Sequence, residues 1–127
     1  MRRPMPSSDA PPEVWPSVWD VVRVPFPYTN RPVRQHRPAL VVACLVAPGA
    51  PALLWVLMIT SAGHRRWAGD VEISDLLAAG LPASSMVRSA KITTVEATEA
   101  EPIGTLPNLD RTALRQHLED RMAAALR

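Results

Sequence analysis

Between Trp19 and Phe26 apolar and polar residues alternate, with Val22, Val24 and Phe26 on one face, which predicts a first strand. Pro25, Pro27 and Pro32 then break regular structure, and Tyr28 to His36 is polar and basic, a long loop. Pro38 to Val46 and Ala52 to Thr60 are apolar at nearly every position, the pattern of strands buried on both faces, with Ala47 to Pro51 as the turn between them. Ser61 to Ala68 forms a second basic loop, followed by a short strand at Asp70 to Ile73. Ser74 is placed to cap a brief helix, Asp75 to Ala79, which Gly80 and Pro82 end. Met86 to Arg88, Lys91 to Val95 and Ile103 to Leu106 read as further short strands. Leu109 to Leu126 reads as a closing helix, capped by Asn108, with Leu114, Leu118, Met122 and Ala125 as its buried stripe. Many short strands and one terminal helix predict a mainly β (α+β) fold, a small barrel of antiparallel strands.

The length, 127 residues, suits one domain, and a hydrophobic share of 47% is enough for a core. Fourteen prolines argue against a helical bundle. Five of them (Pro4, Pro6, Pro11, Pro12 and Pro16) lie between Met1 and Ser17, so residues 1–17 are expected to be a flexible tail and 18–127 the domain. Ala39 to Ile59 carries no charge and is nominally long enough to span a bilayer. Pro48, Gly49 and Pro51 interrupt it, and its halves are rich in Val, Leu and Ile, so two buried strands fit better than one membrane helix. A single cysteine, Cys44, allows no internal disulfide, and no apolar run follows Arg2 and Arg3, so a reducing, cytoplasmic setting is expected.

The charges are segregated. Arg23, Arg31, Arg34, Arg37, Arg65 and Arg66 fall between Val21 and Gly69 with no Asp or Glu among them. From Asp70 to Asp110 acids dominate, against only Arg88 and Lys91. One face that attracts a polyanion follows from that order. In a hairpin turning at Pro48 to Ala50, Thr60 lies opposite Ala39 and Arg37 opposite Ala62, so Arg37 and Thr60 share a face at one end of the sheet. A slip of one residue replaces Thr60 by Ser61. The same end receives Arg31, Arg34 and His36 from the first loop and His64, Arg65 and Arg66 from the second. Arginine offers a planar fork of donors and threonine a hydroxyl, which together suit a phosphate.

These residues resemble the MazF/PemK toxins of type II toxin–antitoxin systems. The likeness is carried by Asp20-Val21-Val22-Arg23-Val24-Pro25-Phe26-Pro27-Tyr28-Thr29, Arg37-Pro38-Ala39-Leu40-Val41-Val42 and Met58-Ile59-Thr60-Ser61. Gly69-Asp70-Val71-Glu72-Ile73, Ala79-Gly80-Leu81, Val87-Arg88 and Ile103-Gly104-Thr105-Leu106 follow in the family's order. The resemblance implies an SH3-like barrel, a homodimer and a cytoplasmic endoribonuclease (mRNA interferase). It would cut single-stranded RNA without a metal or other cofactor and be neutralised by a cognate antitoxin. The implied reaction is attack of a ribose 2′-hydroxyl on the adjacent phosphate. Arg37 and Thr60 match the family's catalytic arginine and threonine, and His36 stands where some members carry a histidine. Three departures are evident: Trp19 occupies a position where many relatives have glycine, the first loop carries Pro32 in place of the usual glycines, and the Pro-rich tail before Val18 lies outside the family's pattern.

The implied RNA contacts are Arg31, Arg34, Ser61, Arg65, Arg66 and Trp67. The group that takes the 2′-proton stays open between His36, His64 and Arg37, both histidines reading first as solvated loop residues. Trp67, in the basic loop, suits base stacking and packing equally, whereas Trp55 and Cys44 are expected in the core. His117 reads as a surface or core residue of the closing helix. Two other readings use the same fold: a non-catalytic inhibitor like the CcdB gyrase poisons, and a module that binds RNA or an acidic peptide without cutting it.

Overall fold

The computed structural model describes residues 16–27 and 34–126. Its strands are β1 (Asp20–Pro27), β2 (Arg34–Leu45), β3 (Leu53–Ser61), β4 (Asp70–Glu72), β5 (Ser85–Glu96) and β6 (Glu101–Thr105). Its helices are α1 (Leu76–Ala79) and α2 (Asn108–Ala125), with a 3-10 turn at Ala97–Glu99. The strands form one antiparallel sheet in the order β4-β5-β3-β2-β1-β6. The mainly β fold with a C-terminal helix is therefore as expected. Ladder shifts at Val21/Val22, Val41/Ala43 and Leu57/Met58 bend the sheet, since a bulge increases local twist. Residues 1–15, including Trp15 and nearly all of the expected tail, and residues 28–33, including Arg31, lie outside the described part.

The apolar runs bury both faces of the central strands, as their composition predicts. Val21, Leu40, Leu57, Ile59 and Val87 pack on one face with Ala79 of α1, Leu114 of α2 and Leu106. Val22, Val24, Ala39, Val41, Val56 and Met58 pack on the other with Ala97. The uncharged stretch from Ala39 to Ile59 is thus most of the β2–β3 hairpin. No helix among the described residues is long and apolar enough to cross a membrane.

Several boundaries differ from expectation. β2 begins at Arg34, because pairing of Val24 with Arg37, Pro25 with His36 and Phe26 with Gln35 extends it into the expected loop. The two strands expected around Arg88 and Val95 are one strand, β5, whose slip against β3 leaves Ser89, Ala90 and Lys91 outside the register. Asp75, not Ser74, caps α1, its carboxylate accepting from the Ala78 N–H, while Ser74 donates twice to the buried Asp110. Pro107 fills the N-cap position of α2 without a side-chain bond, and Asn108 is already helical. The stripe on α2 is buried only at Leu114 and partly at Leu118; Met122 and Ala125 are exposed, as is His117. Cys44 and Trp55, expected in the core, are also exposed, because Cys44 sits near the tip of the hairpin and Trp55 projects beyond both clusters.

Trp19 has φ of 78°, a left-handed conformation that costs a side-chain-bearing residue about 1–2 kcal/mol. A glycine would adopt this conformation without that cost. Here the ring instead packs against the core under α2, with the Arg111 and Arg115 guanidinium groups 5.8 and 5.4 Å from its centroid. Its N–H donates to the Val41 carbonyl, and its own carbonyl accepts from Leu106.

Candidate active site

The described pairing of β2 with β3 begins at Ala39–Met58. Continuing that register by two residues sets Arg37 opposite Thr60, rather than opposite Ala62 as the symmetric turn implies. One residue of the difference comes from the turn, and one from Val42, which bulges out of the ladder between Val41 and Ala43. The consequence is large. Without the bulge Arg37 would stand opposite Ser61, on the face away from Thr60, because side chains alternate along a strand.

Arg37 and Thr60 line one cleft of about 400 Å³, with Ser61 and His64 beside them. The opposite wall is the turn from Gly80 to Ser85, together with Ile103 of β6. Thr60 is buried at 9% exposure, and its Oγ1 lies 2.6 Å from His64 Nδ1. His64 reaches it because β3 ends in a tight turn, in which the His64 N–H donates to the Ser61 carbonyl and the Gly63 N–H to Ser61 Oγ. Of the two histidines singled out from the sequence, only His64 enters the cleft. His36 is exposed on β2 opposite Pro25, on the other side of the strand from Arg37.

The arginines divide among different roles. Arg23, whose place in the site the sequence did not reveal, also lines the cleft and pairs at 3.8 Å with the exposed Glu101. Arg34 starts β2. Arg66 donates to the Asp70 carbonyl and lies 3.7 Å from Glu72. Arg65 contributes a backbone carbonyl to a buried cluster behind the loop. Trp67 is 42% exposed, but one face of its ring is covered by the Arg88 guanidinium, 4.0 Å from the centroid. That cover removes one of its two stacking faces.

Arg88 is a second charged residue whose role the sequence did not reveal. Its Nε donates to Asp70 Oδ1 and its Nη2 to Asp70 Oδ2, at 3.2 and 2.9 Å, with side-chain exposures of only 11% and 0%. The available signal was an arginine within the apolar strand Met86-Val87-Arg88 and a facing acid, but the facing requires the β4–β5 register, in which Asp70 pairs with Arg88. Burial by itself would raise the Asp70 carboxyl, yet hydrogen bonds from Arg88 and the Trp67 N–H, with the charges of Arg88 and Arg66, hold it below its usual range. A carboxyl that titrates lower folded than unfolded stabilises fully above its unfolded value, about 3.9, and that stabilisation disappears as pH falls through the folded value. Denaturant melts from about pH 6 to about pH 3 should therefore show wild type losing stability faster than Asp70→Asn. The variant starts lower by about 3–5 kcal/mol because its buried arginine is unpaired. A gap that stays constant over that range would show that Asp70 does not titrate with folding.

The chain has likenesses to a known family and to solved structures. Residues 17–121 match the sequence model of the family described as PemK-like, MazF-like toxin of type II toxin–antitoxin system. No curated protein matches the chain. Among solved structures, a MazE–MazF structure from Deinococcus radiodurans superposes with a TM-score of 0.69 at 18% identity, covering 87% of this chain and 98% of that one. An endoribonuclease in complex with its cognate antitoxin, from a mycobacterial species, gives 0.64 at 18% identity, over 85% and 95%. A MazF toxin of Mycobacterium tuberculosis gives 0.59 at 20% identity, over 80% and 95%. At such identities the structural likeness concerns the fold, while the sequence model spans most of the chain, and on that match the protein belongs to the PemK-like, MazF-like toxin family of type II toxin–antitoxin systems.

Proposed function

We propose that this chain is an endoribonuclease that arrests growth by cutting single-stranded RNA, with Arg37 and Thr60 as its catalytic residues. The observation that carries the reading is their meeting in one cleft from two strands, with His64 bonded to Thr60. A ribose 2′-oxygen attacks the adjacent phosphorus, the bond to the 5′-oxygen breaks, and that oxygen takes a proton from water, which leaves a cyclic phosphate and a 5′-hydroxyl end. In the His64 tautomer protonated on Nδ1, that N–H donates to Thr60 Oγ1, and the Thr60 hydroxyl hydrogen is available to a nonbridging phosphate oxygen. Nε2 then accepts the 2′-proton, since a neutral imidazole has one acceptor nitrogen. Arg37 stabilises the charge that builds on the pentavalent phosphorus. His64 is favoured over His36 as the base because it alone of the two lies beside Thr60.

Arg31, Arg34, Arg65 and Arg66 would draw the RNA backbone toward the cleft, and Ser61 would contact it at the rim. Trp67 keeps an exposed edge for a base. We further infer a homodimer, a cognate antitoxin partner and a cytoplasmic site of action, supported by the family assignment and by the solved relatives that include an antitoxin. The purified protein is expected to cut single-stranded RNA in the presence of EDTA, because in this scheme the charge stabilisation comes from Arg37. Binding to an uncleavable RNA should weaken with salt, with a log–log slope of about 0.7 per phosphate neutralised. Cutting that appears only after Mg²⁺ is added would overturn the scheme. Growth arrest with intact RNA would favour a gyrase poison, and a flat salt dependence without cutting would favour a peptide-binding module.

A further inference from the structure

We infer that the buried Asp70–Arg88 pair is a positioning device, which holds the loop of residues 62–69 so that His64 stays on Thr60. This rests on the reading of the Arg37–Thr60 cleft as the cutting site. The loop has no helix or strand of its own, so the conformation beyond the His64 turn depends on what its backbone is tied to. Ala62 is held by its N–H donating to the Ser84 carbonyl, and each tie beyond His64 leads to β5, to α2 or to Asp70. Arg88 Nη2 donates to the Arg65 carbonyl at 2.7 Å, immediately after His64. The Trp67 N–H donates to Asp70 Oδ2 at 2.8 Å, and the Asp70 N–H returns to the Trp67 carbonyl. Arg121 of α2 donates to the Ala68 carbonyl, and Ser89 to that of Gly69.

Arg88 is the centre of this set. Its guanidinium bonds both oxygens of Asp70 and the Arg65 carbonyl, and the Trp67 ring lies over it, so three loop or loop-end groups converge on one side chain. A buried ion pair adds little net stability against an apolar pair of the same volume, since desolvation offsets most of the attraction. What it does supply is directional bonding, and here the direction is toward the carbonyl next to His64. Lysine is a poor replacement, because its three donors leave a single nitrogen and cannot reproduce the planar fork that bonds both Asp70 oxygens and the Arg65 carbonyl. The pair's charge is internally cancelled and covered, so Arg88 contributes geometry rather than attraction for RNA.

Arg88→Lys tests this, with His64 as the reporter. A displacement of about 1 Å at a reacting group can cost about 10²-fold, so kcat on saturating RNA should fall at least about tenfold. In a His64→Gln background the same change should cost less than about twofold, because the group it positions is gone. The His64 ring ¹⁵N signals, expected in wild type to show a single bonded tautomer, should lose that pattern, and trypsin should cut faster after Arg65 and Arg66. The last two readouts need no activity: if wild type cuts no RNA, the functional reading fails while they still decide the positioning role. Wild-type kcat, ¹⁵N pattern and trypsin protection in Arg88→Lys would overturn the inference. So would an equal loss of kcat in the His64→Gln background. Should Arg88→Lys lack a cooperative melt, Asp70→Asn is subjected to the same measurements, with the same directions expected and the same results overturning it.

Discussion

Arg37→Ala is expected to cut RNA about 10²–10³-fold more slowly than wild type while remaining folded, the loss typical of one charged donor acting in the transition state. The effect should appear in kcat more than in KM, because the charge Arg37 would neutralise develops during the reaction. Folding should survive because Arg37 belongs to neither apolar cluster and sits where β2 has already left its pairing with β3. Arg37→Lys should recover little, since the ammonium keeps the charge but not the planar fork. Thr60→Val, close in shape and lacking the hydroxyl, should lose less than Arg37→Ala, and His64→Gln should lose activity where His36→Gln does not. Arg34→Ala should weaken RNA binding modestly and spare turnover on saturating substrate. Cleavage ends mapped on total RNA after induced expression, with circular dichroism of each variant, measure all of this. Full cleavage by Arg37→Ala beside an inactive Arg34→Ala would move the catalytic group out of the cleft and into the first loop.

A large loss of stability should follow Gly80→Ala, a change that adds one methyl group. Gly80 closes α1 with φ of 74°, and a Cβ built there would lie 2.0 Å from the Ile103 carbonyl oxygen. That oxygen is backbone of β6, so no side-chain rotation relieves the clash. The left-handed backbone costs alanine about 1–2 kcal/mol. Overpacking typically adds about 1–3 kcal/mol, at the upper end where backbone must move. With roughly 4 °C per kcal/mol for a domain of this size, a thermal melt should fall by about 10 °C or more. Gly49→Ala isolates the conformational part, because Gly49 has φ of 76° but nothing within 4 Å of its added Cβ. Equal shifts in the two variants would mean that the α1–β6 contact is not tight. Because Gly80 and Ile103 also line the cleft, cleavage by Gly80→Ala should fail at a lower temperature than that of Gly49→Ala.

Much of the architecture could be read from residue order alone. The apolar runs at Leu40–Val42 and Leu53–Ile59 demand burial on both faces, and Pro48 with Gly49 places the turn between them, so two central strands follow from local pattern. Gly80 after Ala79 and the periodic leucines after Pro107 likewise mark a helix end and a helix. The ordered motifs around Arg37, Thr60 and Gly80 pointed to the family. These features are legible because each depends on neighbours within a few residues, where sequence period and backbone geometry are directly linked.

What the tertiary structure alone decided is a matter of register and pairing. The bulge at Val42 shifts the β2–β3 register by one residue, so that its extension to Arg37 points to Thr60 and not to Ser61, although nothing in Val41-Val42-Ala43 marks one valine as the residue to leave the ladder. Pairing with β1 drew Arg34 to Arg37 out of an expected loop and turned His36 away from the cleft, leaving His64 beside Thr60. Asp70 and Arg88 find each other through the β4–β5 register, across a separation that includes α1. A strand's period is printed in its sequence, but its register is set by the whole sheet at once: a slip of one residue exchanges both faces of every strand beyond it, and only the sum of packing on both sides selects the outcome.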